Sequence, residues 1–149
     1  MSRLLKFWGL SGADRWLLIE AMGWLCWAKT LLWIAPFRYI APRLGDRMRE
    51  SPFDMAEAQS KLAASVSWGV RTVARHVPFG FVCLPQAMAA KWMLRRRRLP
   101  STLYLGVRVG ESIKMTAHAW LRAGDKILTG RAGSLNHQVV ASFGENHPS

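Results

Sequence analysis

Cys83-Leu84-Pro85-Gln86-Ala87-Met88-Ala89-Ala90-Lys91-Trp92-Met93-Leu94 reads as a helix with a thiol at its first position. Proline lacks a backbone N–H and fits only the first turn of a helix, so Pro85 puts Cys83 at the start rather than in the middle. There the macrodipole and the free backbone N–H groups favour a thiolate. Further on comes a lone histidine in a strand-like run, Ala117-His118-Ala119-Trp120-Leu121. Alternation sets His118 and Trp120 on one face and Ala117, Ala119 and Leu121 on the other. An imidazole brought from a strand is the usual general base beside a cysteine nucleophile. The backbone N–H of Cys83, or of the residue after it, would form part of an oxyanion hole. Spacing alone leaves a second reading open: a histidine satisfied in the core beside an unrelated buried thiol.

Outward from these two runs, the period of the sequence divides the chain. Before Cys83 it is helical. Asp14 to Ile34 is rich in apolar residues, with a capping arrangement at Ser11 and Asp14 and a stop at Pro36. Glu20 and Lys29 interrupt it, which argues against a membrane span and for a helix facing the core or a partner. A polar connector from Arg38 to Glu50 follows, and Ser51-Pro52-Phe53-Asp54 predicts the cap of a second helix running to about Arg75. After Leu99-Pro100 the period becomes 2. Strands are predicted over 101–109, 114–122, 126–130 and 138–143, with Gly124-Asp125 as a tight turn. Helices first and an antiparallel sheet of about four strands afterwards, with the cysteine helix packed on the sheet, make an α+β fold. Residues 1–50 form an N-terminal helical segment, a candidate partner-facing element, and 51–149 the core, the whole as one compact unit.

The chain of 149 residues carries 21 Lys+Arg against 9 Asp+Glu, a formal net charge of +12. Such a balance points to an anionic partner and says nothing about fold. No zinc-ligand spacing, RNA-binding signature or basic zipper accompanies it, and Arg95-Arg96-Arg97-Arg98 reads first as a solvated helix end. The two cysteines make no disulfide framework, and Cys26 reads as a buried, inert thiol. The N-terminus lacks the pattern of a signal peptide, so a reducing cytoplasm is the expected compartment. His76 and His137 belong to no motif and read as surface residues.

Several blocks in order carry a resemblance: Val77-Pro78-Phe79, Cys83-Leu84-Pro85-Gln86-Ala87, Trp92-Met93-Leu94-Arg95-Arg96-Arg97, Pro100-Ser101-Thr102-Leu103-Tyr104-Leu105-Gly106-Val107 and Ala117-His118-Ala119-Trp120-Leu121. Together they resemble the lasso-peptide maturation protease, the transglutaminase-like leader peptidase of lasso biosynthesis, over about Ala63 to Phe143. The resemblance implies a transglutaminase/papain-like cysteine peptidase core that removes the leader from a ribosomally made precursor before macrolactam cyclisation. Cys83 would be its nucleophile and His118 its general base and acid. It implies no cofactor and no metal. The implied partners are the precursor's leader, a separate leader-recognition protein and an asparagine-synthetase-like cyclase, with neither nucleic acid nor stable membrane insertion. Arg71, Arg75 and Arg95 to Arg98 would steer an acidic leader.

The third catalytic member is where the sequence departs. The family often places an Asp about twelve residues beyond the histidine, and here Thr129-Gly130 holds that place. Asp125, at the predicted hairpin tip, is the candidate third member; as a residue it is also a good turn former. Asn136 or a backbone carbonyl are the other groups that could orient the imidazole. Two other functions fit the residues: Cys–His acyl transfer to an amine, and a non-catalytic basic module for nucleic acid or membrane.

Overall fold

The computed structural model describes residues 8–77, 80, 82–109, 115–134 and 137–144. Helices come first: α1 (Gly12–Ile34), the short α2 (Phe37–Ile40) with a 3-10 turn over Ala41–Leu44, and α3 (Glu57–His76). The cysteine helix α4 (Cys83–Arg96) leads into the sheet, built from β1 (Asp46–Arg47), β2 (Thr102–Val109), β3 (Met115–Ala123), β4 (Lys126–Thr129) and β5 (Gln138–Gly144), with α5 (Arg131–Ser134) between the last two. Strand order is β1-β5-β2-β3-β4, antiparallel at every described pairing. This is the α+β, papain-like architecture expected. The sheet has five strands because Asp46 and Arg47, within the polar connector, pair with the end of β5.

Alternation gives the sheet two different faces. Leu103, Ala119, Leu121, Ala123, Ala141 and Phe143 point to one side and join Met88, Met93 and Leu94 of α4 in the core. α1 adds Leu18, Ala21, Leu25 and Ala28 to that core, and α3 adds Ala63, Val66 and Val70. Lys91, on the buried side of α4, is wholly enclosed; its ammonium donates to Ser101 O (2.8 Å) and Oγ (3.0 Å), tying the helix to the start of β2.

Residues 50–55 lie on the other face at its Thr102, Tyr104 and Arg122 end, and here the structure corrects the sequence. Ser51 caps no helix. Its N–H donates to Thr102 Oγ1 (2.7 Å), its hydroxyl pairs with the same oxygen, and its carbonyl accepts from Arg122. Arg122 is only 6% exposed, and its guanidinium also donates to Pro52 O, Gly124 O and Tyr104 OH while Phe53 stacks on it at 3.8 Å. These bonds hold 51–53 in non-helical backbone on the sheet, and α3 starts later, at Glu57, with Gln59 Oε1 accepting from Ala56 N–H. Burial pushes the Tyr104 phenol up from its ordinary range, and the phenol donates to Glu50 (2.8 Å).

Part of the arginine run turns out to be structural. Arg97 grips Glu20 of α1 with both terminal nitrogens (2.9 and 2.8 Å), Arg96 adds a contact at 3.1 Å, and Arg95 donates to Arg43 O. The Arg97 hydrogen bond, outweighing partial burial, holds the Glu20 carboxyl below its ordinary value of 4.5. A carboxyl lowered on folding stabilises the protein above its unfolded pKa and loses that contribution as pH falls through the folded one. Glu20→Gln should therefore cost about 1–2 kcal/mol at pH 7 in urea unfolding, and clearly less at pH 3.

α1 also has an outward side. Its length and mean hydropathy reach those of a membrane-crossing helix, yet its Leu18, Ala21, Leu25 and Ala28 side lies in the core. The opposite side exposes Trp16, Ile19, Trp27, Trp33 and Ile34. Cys26 is half-buried rather than enclosed.

Candidate active site

Cys83 is the first residue of α4, half-buried against the core. Helices leave their first N–H groups without intrahelical acceptors. In α4, Pro85 has none to offer and Gln86 N–H returns to Val82 O (3.2 Å). The amides of Cys83 and Leu84 are thus the donors of the first turn, beside the thiol. They can receive an oxyanion that forms on a carbonyl attacked by Sγ. α4 packs against β2 and β3, the pair of strands in which Gly106 lies opposite His118.

His118 is half-buried, and its Nε2 lies 3.1 Å from Gly130 O. A carbonyl only accepts, so Nε2 carries a proton, and in the neutral ring Nδ1 then keeps the lone pair. That is the tautomer a general base needs if Nδ1 is to take a thiol proton. Gly130 can present its carbonyl there because it is glycine. Its φ is +72°, and a Cβ would fall 2.5 Å from Ala119 O and 3.0 Å from His118 Nε2. The imidazole lies over Trp120 (centroids 6.2 Å apart, 24° between planes) and beside His137 (5.3 Å, 34°). Trp120 stacks in turn on Tyr104 at 5.6 Å. Gly106 makes room for this row, since a Cβ on it would meet the Trp120 ring at 2.6 Å.

The structure separates some residues that the sequence grouped. Asp125 stands exposed in the β3–β4 turn, beyond Ala123, which itself lies about 16 Å along the strand from His118 at some 3.3 Å per residue. It is not brought to the imidazole, and a hairpin tip is where a turn-forming aspartate belongs. The carbonyl of Gly130 orients the ring, at the position twelve residues beyond the histidine where the family often has an acid. Asn136 lies outside the described residues. His137 is half-buried against His118 and not on the open surface, while His76 is exposed at the end of α3. Cys83 packs on the core side of the sheet and His118 stands on the Trp120 side. Among the described residues no hydrogen bond joins thiol and imidazole. Among the same residues, no three His, Cys, Asp or Glu side chains cluster as metal ligands.

A family model described as the transglutaminase-like superfamily matches residues 31–142, three quarters of the chain. This chain belongs to the transglutaminase-like superfamily. The match runs from the last turn of α1 into β5 and so takes in Cys83, His118 and Gly130. Comparison with curated proteins and with solved structures finds no match. Superfamily members are typically cysteine-dependent catalysts, which points to peptidase or acyltransferase chemistry.

Proposed function

We propose that the chain is a cytosolic cysteine peptidase that removes the leader from a lasso-peptide precursor, with Cys83 as nucleophile and His118 as base. The observation that carries this reading is the His118–Gly130 hydrogen bond, which leaves Nδ1 as the free base in a superfamily that works through cysteine. The ordered sequence blocks around Cys83 and His118 supply the lasso-precursor specificity.

The steps follow from the groups in place. His118 Nδ1 takes the Cys83 proton as Sγ adds to the scissile carbonyl, and the amides of Cys83 and Leu84 receive the oxyanion. The imidazolium gives its proton to the departing amine of the core peptide as the C–N bond breaks. Water, deprotonated by the same imidazole, then cleaves the thioester and frees the leader as a carboxylate. The proton transfer requires thiol and imidazole to come together at the part of the β3 edge that β4 leaves open. β4 pairs with β3 only from Leu121 onward, and the Gly130 carbonyl holds the ring at the stretch beyond. Catalytic hydrogen bonds are often long in a free enzyme and tighten in the substrate complex.

A separate recognition protein and an asparagine-synthetase-like cyclase complete the proposed reaction. The outward Trp16, Trp27 and Trp33 side of α1 is a surface fit for the recognition protein. Exposed Arg71 and Arg75 on α3 are placed to draw an acidic leader, a rate effect that added salt weakens.

The test is product mass. Purified chain, recognition protein and precursor should yield a leader ending in a free carboxylate. A leader joined to an added amine would instead mean acyl transfer, and an intact precursor would refute the peptidase.

A further inference from the structure

His137 belongs to no motif, yet two features of the backbone deliver it to His118. β2 and β5 pair Leu105 with Ala141 and then Gly106 with Val139, so Val140 is an extra residue in β5. Such a bulge slips the register by one and turns every residue beyond it to the other face. There Val107 pairs with Gln138, which leaves His137, the next residue out, on the face that Gly106 shares with His118. Without the bulge Val107 would pair with Val139, and position 137 would fall on the core face. The second feature is Gly106 itself, in the strand that lies between β3 and β5. A Cβ there would come within 3.0 Å of His137 Cβ and 2.6 Å of the Trp120 ring. Across this gap the two imidazoles pack together, centroids 5.3 Å apart and both rings half-buried.

We infer that His137 is a positioning residue for His118: its ring fixes the plane of the imidazole that the Gly130 carbonyl anchors. This role rests on the peptidase reading above and adds a residue to its machinery. Nε2 is held by the hydrogen bond and Cγ by the chain. The motion left to the ring is a swing about the line between those two atoms, and the histidine side-chain torsion that permits it is soft. That swing carries Nδ1, the atom that has to take the thiol proton. A ring packed against the imidazole opposes it. Trp120 supplies one such contact from the same strand, at 6.2 Å, and His137 supplies a closer one from the far side of β2. Proton transfer needs the base within hydrogen-bond reach and aligned, so a free swing would cost rate without touching the fold.

The readout is the rate at which iodoacetamide labels Cys83 at pH 6.5 in the full chain, with Cys26 replaced by alanine throughout. His137→Ala should slow labelling about 3–10-fold, the scale of one aromatic contact. His137→Phe, which restores a flat ring, should recover most of that loss. In a chain that already carries His118→Ala, His137→Ala should slow labelling by less than about 1.5-fold, because a residue that acts through the imidazole has nothing left to act on. A residue that merely supports the fold would slow both backgrounds alike. Thermal melts check folding, and if the alanine variant melts early, His137→Leu, which keeps the volume without the flat ring, takes its place in both backgrounds. Three results overturn the role: a wild-type rate without the ring, equal losses with and without His118, or a phenylalanine variant as slow as the alanine one. If His118→Ala itself labels as fast as wild type, the base fails, and the peptidase reading goes with it.

Discussion

Cys83→Ala should reduce leader removal by about 10⁴–10⁶-fold while leaving the protein folded. Removing the nucleophile of a covalent mechanism removes the intermediate, and what survives is the modest help of substrate binding and oxyanion donors. The fold should tolerate the change, because Cys83 is only half-buried and is in no disulfide among the described residues. Losing one sulfur there should cost within about 1 kcal/mol. The assay is precursor cleavage followed by mass spectrometry, with urea unfolding of both proteins alongside. Activity within tenfold of wild type would remove Cys83 from the chemistry.

Gly130→Ala should damage both stability and rate. A Cβ at φ +72° is strained by about 1–2 kcal/mol. It would also stand 2.5 Å from Ala119 O, a backbone atom that cannot step aside as a side chain would. Strain and clash together should cost about 2–4 kcal/mol. Whatever shift relieves them moves the Gly130 carbonyl away from His118 Nε2, and the imidazole loses the acceptor that fixes its tautomer. Turnover should then fall about 10²–10⁴-fold, the usual worth of a positioned general base. Asp125→Asn is the matched control. It changes an exposed turn residue far from the ring and should shift stability by no more than about 0.5 kcal/mol, with turnover near wild type. A large loss in Asp125→Asn and none in Gly130→Ala would return the orienting role to the carboxylate.

Much of this geometry was written in local signals. Pro85 fixes the start of α4, and through it the position of the thiol, because proline tolerates so few places in a helix. The change of period after Pro100 marks the passage from helices to sheet, and His118 falls mid-strand as alternation requires. What stayed hidden depended on partners distant in sequence. Ser51 and Pro52 look like a helix cap, yet Arg122, 71 and 70 residues away, claims their carbonyls and keeps the segment out of a helix. The arginine run looks like free charge until α1 brings Glu20 to Arg97. Thr129-Gly130 looked like a missing acid. A sequence records which side chain is absent, but not that the same residue's carbonyl points at the imidazole. His137 lacked any motif because only the β2–β5 register delivers it to His118. The one available hint was Gly106, a side-chain-free position inside a strand, which marks a close approach by something bulky.

The central claim is that His118, held by Gly130, activates Cys83. The most direct measurement is the rate of Cys83 alkylation by iodoacetamide from pH 5 to 9 in the wild type and in His118→Ala, with Cys26 replaced by alanine in both. The wild type should react at least tenfold faster near pH 6.5, and the advantage should shrink toward pH 9, where a thiol ionises without help. Superimposable profiles would contradict it, since a base whose removal leaves the thiol unchanged is not the base.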